Sequence, residues 1–245
     1  NLVFGDVAMA KMYEGNPRVQ VHGPGWSKII IGEDKIENWK EYIDVIVRSI
    51  SDNGGRSCIN ASAVIVPKYG KEIADAIAQQ LGPVQPLPAD DENARLSGFA
   101  NTKMADYIDS TIDNDLKTPG AEDVTAKYRN GPRKVEFQGG VYLRPTIIRC
   151  DSWEHSLANR EFLCPYASVV EVKQSEVLSK IGYSLIVTAI TADPEFTEQL
   201  LECSDIDRLN LGPLSTMSIS WDQPHEGNMF EFLYKRRSID RSAAM

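Results

Sequence analysis

Ser51-Asp-Asn-Gly-Gly-Arg-Ser-Cys58-Ile-Asn-Ala-Ser-Ala-Val-Ile-Val-Pro67 runs from the end of an amphipathic helix, through a glycine turn, into an apolar β-branched stretch. That last stretch is typical of a strand buried in a sheet. Glycines allow a turn tight enough to bring Cys58 to the lip of a cleft. A thiol that faces backbone N–H groups there can ionise and act as a nucleophile. A free cysteine is also a common packing residue, so residue type and spacing alone leave both interpretations open.

Outward from this stretch, predicted strands alternate with predicted helices. Apolar residues at helical spacing indicate helices at 36–51, 71–81 and 92–116, and an aromatic-rich helix at 228–236. β-Branched runs indicate strands at 28–31, 62–66, 167–172, 184–190 and 206–211. This alternation favours an α/β fold with a largely parallel sheet and helices on both faces.

Charge and cysteine content exclude several classes of partner. The 245-residue chain has a net charge of −9, which disfavours nucleic acid and anionic membrane surfaces as main partners. Its sequence has no apolar run long enough to span a bilayer. The cysteines lack metal-ligand spacing, so no metal site is predicted, and a reducing, cytoplasmic setting is expected. Apart from Cys58, they are interpreted as packing residues: Cys150, Cys164 and Cys203.

Four short motifs, in order, resemble those of the aldehyde dehydrogenase superfamily. Phe4-Gly-Asp6 resembles the end of the cofactor-domain turn Phe-Thr-Gly-Ser. Gly55-Arg-Ser-Cys58 stands where the family has its nucleophile motif, Gly-Gln-x-Cys. Gly139-Gly-Val-Tyr-Leu-Arg-Pro-Thr146 is similar to Gly-Tyr-Phe-x-x-Pro-Thr. Glu161-Phe-Leu-Cys-Pro165 is similar to Glu-x-Phe-Gly-Pro, the family segment that touches the nicotinamide ribose.

The resemblance implies a Rossmann-like, parallel-sheet catalytic domain and a division of the chain into three parts. Residues 1–22 would end a cofactor-binding domain whose bulk lies upstream. Residues 23–227 would form the catalytic domain, and residues 228–245 a C-terminal helix and tail. Within the catalytic domain, the polar stretch 117–137 would be an oligomerisation arm or an ordinary loop. A homo-oligomer is the family expectation.

The resemblance also assigns roles to individual residues. Cys58 would be the catalytic nucleophile. Glu161 and Leu163 would lie at the nicotinamide, with Leu163 where the family has phenylalanine, and Gly5 would belong to the cofactor turn. The implied cofactor is NAD or NADP.

Two further residues are candidates for supporting the chemistry. His22 could replace a missing base, because histidine titrates near neutral pH. Arg56 could lower the pKa of the thiol as a nearby cation. A hydrogen-bonded loop histidine and an exposed arginine are the structural alternatives.

One departure from the family pattern shapes the expected reaction. Members that hydrolyse their acyl-enzyme carry Glu-Leu-Gly-Gly-Lys, whose glutamate activates water, whereas the aligned stretch here is Val21-His-Gly-Pro-Gly25. That stretch looks more like the loop of CoA-acylating members and acyl-CoA reductases. The expected function is therefore a nicotinamide-dependent oxidoreductase acting on an aldehyde/acyl-thioester couple, with a small aldehyde or acyl-CoA as substrate. Two alternatives stay open: a hydrolytic aldehyde dehydrogenase with a relocated base, and a non-catalytic scaffold of the same fold.

Overall fold

The structure is a computed structural model that describes residues 1–220 and Tyr234. Asn1–Pro24 belong to one compact unit and Gly25–Ser218 form a second. The helix expected at 228–236 lies outside the described residues, as does the rest of the C-terminal segment apart from Tyr234.

The first unit contains a strand–helix–strand crossover. Strands β1 (Leu2–Phe4) and β2 (Gln20–His22) pair in parallel, with helix α1 (Val7–Tyr13) between them in sequence. The Asp6 carboxylate accepts a hydrogen bond from the Met9 N–H at 2.9 Å. Asp6 therefore caps the first turn of α1 and sets where this helix begins.

The second unit is built on a seven-stranded sheet. Its strands are β3 (Lys28–Ile31), β4 (Ala63–Val66), β5 (Ala121–Asp123), β8 (Thr146–Cys150), β9 (Tyr166–Glu171), β10 (Ser184–Ile190) and β11 (Ile206–Leu211). They lie in the order β11–β10–β3–β4–β9–β8–β5, and every neighbouring pair is parallel except β5 with β8. A separate antiparallel hairpin joins β6 (Lys134–Phe137) to β7 (Gly140–Leu143).

Helices cover both faces of this sheet: α2 (Ile43–Ser51), α3 (Gly70–Leu81), α4 (Thr102–Asp115), α5 (Gln174–Ile181) and α6 (Pro194–Glu202). Successive residues of β3 enter different cores, because Ile30 packs with α4, α5 and α6 whereas Ile29 and Ile31 pack with α2 and α3. Burial on both faces explains why these strands read as continuous apolar runs. The predicted α/β fold with a mostly parallel sheet is confirmed. Among residues 1–220, no helix is both long and apolar enough to cross a membrane.

Two predicted helices differ from the observed ones. The helix expected at 36–51 is α2 preceded by a 3-10 segment, Ile36–Tyr42. The helix expected at 92–116 begins only at Thr102, because the Asn101 side chain accepts a hydrogen bond from the Lys103 N–H and caps α4. Just before it, the Phe99 N–H donates to the Val141 carbonyl at 2.8 Å, so this part of the chain pairs with β7 instead of coiling.

The polar stretch 117–137 contains β5, a 3-10 turn at Val124–Lys127 and β6. Arg133, whose side chain is 7% exposed, ties this stretch to α4. Its guanidinium lies 2.7 Å from Asp109, 3.1 Å from Asp113 and 3.4 Å from Asp123. One buried cation is thus shared by three carboxylates on two elements.

Candidate functional site

Four loops meet at the end of the seven-stranded sheet where its central parallel strands begin, an end called here the sheet edge. They lead into β3, β4, β9 and β10, which are neighbours and run in parallel, so their amino ends share that edge. The residues they carry are Gly25–Ser27, Cys58, Glu161–Pro165 and Tyr183. Residues far apart in sequence are thereby collected in one place.

Cys58 is half-buried in the turn before β4. The turn is fixed by Asn60, whose Oδ1 accepts a hydrogen bond from the Ser57 N–H at 3.0 Å. The Asn60 Nδ2 donates to the carbonyls of Ser49 and Asp52, both at 3.0 Å. One amide side chain therefore connects the cysteine turn to the end of α2.

Gly25 packs directly against this turn. A Cβ atom at Gly25 would lie 2.0 Å from the Cys58 carbonyl oxygen and 3.2 Å from the Cys58 Cβ, so the loop requires glycine there. The wholly buried Ser27 donates its hydroxyl to the same carbonyl at 2.9 Å. The loop before β3 thus fixes the backbone of Cys58 from a second side.

The Glu161 carboxylate contacts the same loop, accepting a hydrogen bond from the Trp26 N–H. Burial raises the pKa of Glu161 above its ordinary value, and the N–H groups of Trp26 and Gly25 partly offset that rise. The positive charge of Lys28 also favours the ionised form. The structure therefore brings Glu161 and Cys58 into contact with the same short loop.

A second contact joins the Cys58 turn to the Glu161 segment. Gly55 has a φ of +64°, and a Cβ there would lie 2.4 Å from the Pro165 nitrogen and 2.5 Å from the Cys164 carbonyl carbon. Cys164 itself is buried, and burial raises the pKa of its thiol to about 12. Cys164 therefore stays protonated at neutral pH. Cys58, in contrast to the buried Cys164, is only half-buried.

Arg56 and Leu163 flank this contact. The Arg56 guanidinium lies 4.4 Å from the centre of the Phe99 ring, so it packs on a core residue instead of standing free on the surface. In the Glu161 segment, Phe162 packs edge-on against Tyr166 with ring centroids 4.9 Å apart. The next side chain, Leu163, is 45% exposed and can contact a ligand.

His22 and Gly5 lie in the first unit. His22 ends β2, and its ring stacks on that of Phe4 with centroids 5.0 Å apart. The Gly5 N–H donates to the His22 carbonyl at 3.0 Å. A Cβ at Gly5 would lie 2.6 Å from the Met9 side chain, so glycine permits close packing of α1 on β1.

Three polar residues at the sheet edge were not anticipated from the sequence: Lys28, Asn60 and Tyr183. Lys28 is wholly buried, and burial lowers its pKa to about 7 against the opposing effect of Glu161. The Tyr183 ring packs edge-on against Trp26, and its hydroxyl donates to Asp207 at 2.9 Å. A signal for Lys28 was present, since a lysine opens the otherwise apolar strand Lys28-Ile-Ile-Ile31.

The residues present fit the nicotinamide end of a dinucleotide. A carboxylate offers about four acceptor positions, so the loop N–H groups leave Glu161 able to accept from ribose hydroxyls. Leu163, exposed two residues later, can contact the ring. In the first unit, the Asp6 carboxylate already binds the Met9 N–H, so this turn does not offer that donor to a phosphate.

Comparisons with known proteins concern the fold and the family of the chain. The model of the aldehyde dehydrogenase family matches residues 4–184. An aldehyde dehydrogenase from Pseudomonas aeruginosa is similar in structure (TM-score 0.72, 18% identity, 86% of this chain and 43% of that one). A variant 1-pyrroline-5-carboxylate dehydrogenase from Thermus thermophilus is similar too (TM-score 0.73, 20% identity, 91% of this chain and 44% of that one). So is a variant betaine aldehyde dehydrogenase from Staphylococcus aureus, in complex with NAD+ (TM-score 0.74, 15% identity, 89% of this chain and 45% of that one).

The chain spans less than half the length of these solved structures. At such identities, the structural likeness supports the fold alone. A search of curated protein sequences found no match. The family model, in contrast, covers most of the chain and includes the Cys58 turn, the Glu161 segment and strand β3. The chain therefore belongs to the aldehyde dehydrogenase family.

Proposed function

We propose that the protein containing this chain is a nicotinamide-dependent oxidoreductase that uses Cys58 as its nucleophile on an aldehyde/acyl-thioester couple. The observation that carries this proposal is the convergence of Cys58 and Glu161 on the loop Gly25–Ser27. Family membership supports aldehyde chemistry. The reaction of the whole protein is inferred, because the chain spans under half of its structural relatives.

In the oxidative direction, the Cys58 thiolate attacks the aldehyde carbon and forms a C–S bond, and the carbonyl oxygen becomes an oxyanion. Backbone N–H groups at the cysteine turn would stabilise that charge. Glu161 and Leu163 would hold the ribose and ring of NAD or NADP, which would supply the hydride acceptor for this carbon. Collapse of the oxyanion, with loss of that hydride, would leave an acyl thioester on Cys58.

Release of the acyl group distinguishes the finer possibilities. The CoA-acylating reading is supported by Val21, which takes the sequence position of the water-activating glutamate. A CoA thiol is a better nucleophile than water and needs less help from a base. Attack by CoA transfers the acyl group to the incoming sulfur and regenerates Cys58. The substrate would be a small aldehyde or, in reverse, an acyl-CoA.

Hydrolytic release is the second candidate, and one contact favours it. The Glu161 carboxyl, whose pKa is raised by burial, lies on the loop that contacts Cys58, so a carboxylate base need not come from position 21. We also infer, from the family alone, a homo-oligomer in the cytoplasm, in which the stretch 117–137 is a candidate arm.

The test measures cofactor absorbance in the full-length protein with an aldehyde, with and without CoA. We expect turnover that requires CoA and falls by orders of magnitude in Cys58→Ser, because serine is not appreciably ionised at neutral pH. Cys203→Ser, at a half-buried position after α6, is the matched control and should keep the activity.

Three outcomes would contradict parts of the proposal. Turnover that ignores CoA would reject the thioester reaction in favour of hydrolysis. Activity that survives Cys58→Ser would reject the nucleophile. An absence of turnover with every aldehyde and acyl-CoA tried would favour the non-catalytic scaffold.

A further inference from the structure

Lys28 occupies a position that suits an ammonium ion. It opens β3 with its side chain wholly buried. Three acceptors lie around its Nζ: the Trp26 carbonyl at 2.5 Å, the Ser184 hydroxyl at 2.9 Å and the Tyr183 carbonyl at 3.4 Å. The Ser184 hydroxyl donates its own hydrogen to the Gly182 carbonyl at 3.1 Å, which leaves it able to accept from Lys28. Three donors and no acceptor are what an ammonium group has.

These contacts join two segments of the sheet edge. On one side is the loop before β3, and on the other is the amino end of β10. The two segments are also tied by the Leu185 N–H, which donates to the Gly25 carbonyl at 2.7 Å, and by the edge-on contact of Trp26 with Tyr183. Lys28 thus makes one of three contacts between the two segments, and it is the one that involves an ionisable side chain.

The loop held in this way is the one that contacts both candidate site residues. Trp26 makes both contacts through its backbone: its carbonyl accepts from Lys28, and its N–H, in the preceding peptide group, donates to Glu161. Gly25, one residue earlier, lies against the Cys58 carbonyl. A shift of the Trp26 backbone would therefore disturb the contact with the Glu161 carboxylate and the support of Cys58 together.

We propose that Lys28 is the positioning residue of this site, holding the loop Gly25–Ser27 so that Cys58 and Glu161 keep their relative placement. The inference rests on the proposed roles of Cys58 and Glu161, and it adds a residue that acts through them without touching substrate. Small displacements of reacting groups lower rates strongly, by about 100-fold for 1 Å in enzyme sites.

The burial of Lys28 also makes its hold on the loop Gly25–Ser27 sensitive to pH. Burial brings the pKa of Lys28 to about 7. Glu161 is the charged group that acts on Lys28, and it favours the ammonium form. The titratable neighbour on the adjoining segment is Tyr183, whose pKa is raised by burial and by its hydrogen bond to Asp207, so it stays neutral in this pH range. Above pH 7 the amine keeps two N–H donors for three acceptors, so one contact is lost. The Tyr183 carbonyl, at 3.4 Å, is the weakest of them.

The experiment follows alkylation of Cys58 by iodoacetamide between pH 5.5 and 9, by mass spectrometry of the full-length protein. It compares the wild type with Lys28→Met, Lys28→Arg and the exposed control Lys103→Met. kcat/KM is measured alongside where turnover is found. We expect the wild type to show a step near pH 7 in addition to the titration of the thiol itself. Lys28→Met should change the rate of Cys58 alkylation about tenfold and remove the step near pH 7 from the pH profile.

Lys28→Arg guards against a variant that does not fold. Arginine stays charged throughout this pH range, so the step should disappear even if the loop is held. Lys103→Met should behave as the wild type. If both Lys28 variants keep the wild-type rates and the step, the inference is overturned.

The two proposals can fail separately. A Lys28-dependent alkylation profile without any turnover would support the positioning role and reject the proposed function. Turnover that needs Cys58 but ignores Lys28, with an unchanged alkylation profile, would do the reverse.

Discussion

At the scale of single residues, Lys28 links the site to the stability of the fold. Its pKa falls from 10.5 in water to about 7 in the folded chain. Between these values the unfolded chain binds more protons than the folded one, so the contribution of Lys28 to stability rises with pH. Relative to Lys28→Met, the free energy of unfolding of the wild type should increase by about 1.4 kcal/mol per pH unit from pH 7 upward.

Urea unfolding of both proteins at pH 7, 8 and 9 checks this prediction, since other titrating groups are common to the two and cancel. Lys103→Met should show no such trend. A wild-type minus Lys28→Met difference that stays flat across the three pH values would mean that the pKa of Lys28 is not lowered by folding.

Gly25 makes a second prediction at this scale. In Gly25→Ala the added Cβ would lie 2.0 Å from the Cys58 carbonyl oxygen, so the loop or the turn must shift. We expect a loss of about 1–3 kcal/mol of stability, as for other overpacked sites, with a slower alkylation of Cys58. Gly23→Ala is the control, because the nearest atom to its Cβ would be 4.0 Å away. Equal effects of the two substitutions would contradict the contact.

At the scale of elements, the start of α4 depends on one side chain. Asn101→Ala removes the acceptor for the Lys103 N–H and should lower the free energy of unfolding by about 1 kcal/mol. Asn101→Asp keeps an acceptor at the same place and should cost much less. Thermal or urea unfolding of the three proteins measures the difference, and a fully stable Asn101→Ala would show that the cap is dispensable.

The same helix shows why its extent was overestimated from the sequence. Leu96 and Phe99 continue the apolar spacing of α4, so the pattern alone extends the helix toward residue 92. The Phe99 backbone instead pairs with Val141, more than forty residues later. Hydrogen bonds to distant segments leave no trace in local periodicity.

At the scale of the whole molecule, the cluster around Arg133 predicts cooperative stability of the stretch 117–137. Removal of this buried cation in Arg133→Ala would leave Asp109 and Asp113 without this partner, whereas Asp123 would keep Arg129 at 2.6 Å. We expect a loss of about 1–3 kcal/mol in the free energy of unfolding, because the lost hydrogen bonds are only partly buried. The control is Arg48→Ala, which breaks the ion pair with Asp52. Because the Arg48 side chain is 69% exposed, this variant should lose under about 1 kcal/mol in the free energy of unfolding. Comparable losses in the two variants would contradict the cluster.

The sheet was predictable because strands buried on both faces are apolar throughout, as in Ile29 to Ile31. The motif resemblance also pointed to Cys58 and Glu161, which lie on separate loops and both contact the loop Gly25–Ser27. Lys28 could not be found in this way. Two of its three acceptors, at Tyr183 and Ser184, depend on β10 entering the sheet between β3 and β11, a pairing that neither strand specifies by itself.

The late arrival of β10 has a consequence for how this chain is made. Lys28 leaves the ribosome 156 residues before Ser184, its partner. At ordinary elongation rates that gap lasts roughly 8–30 s. During this time β3 is the outer strand of whatever sheet has formed, and its unpaired backbone is open to other nascent chains. A charged lysine on such a strand discourages that association, so Lys28 would protect the growing polypeptide before it is buried in the finished one.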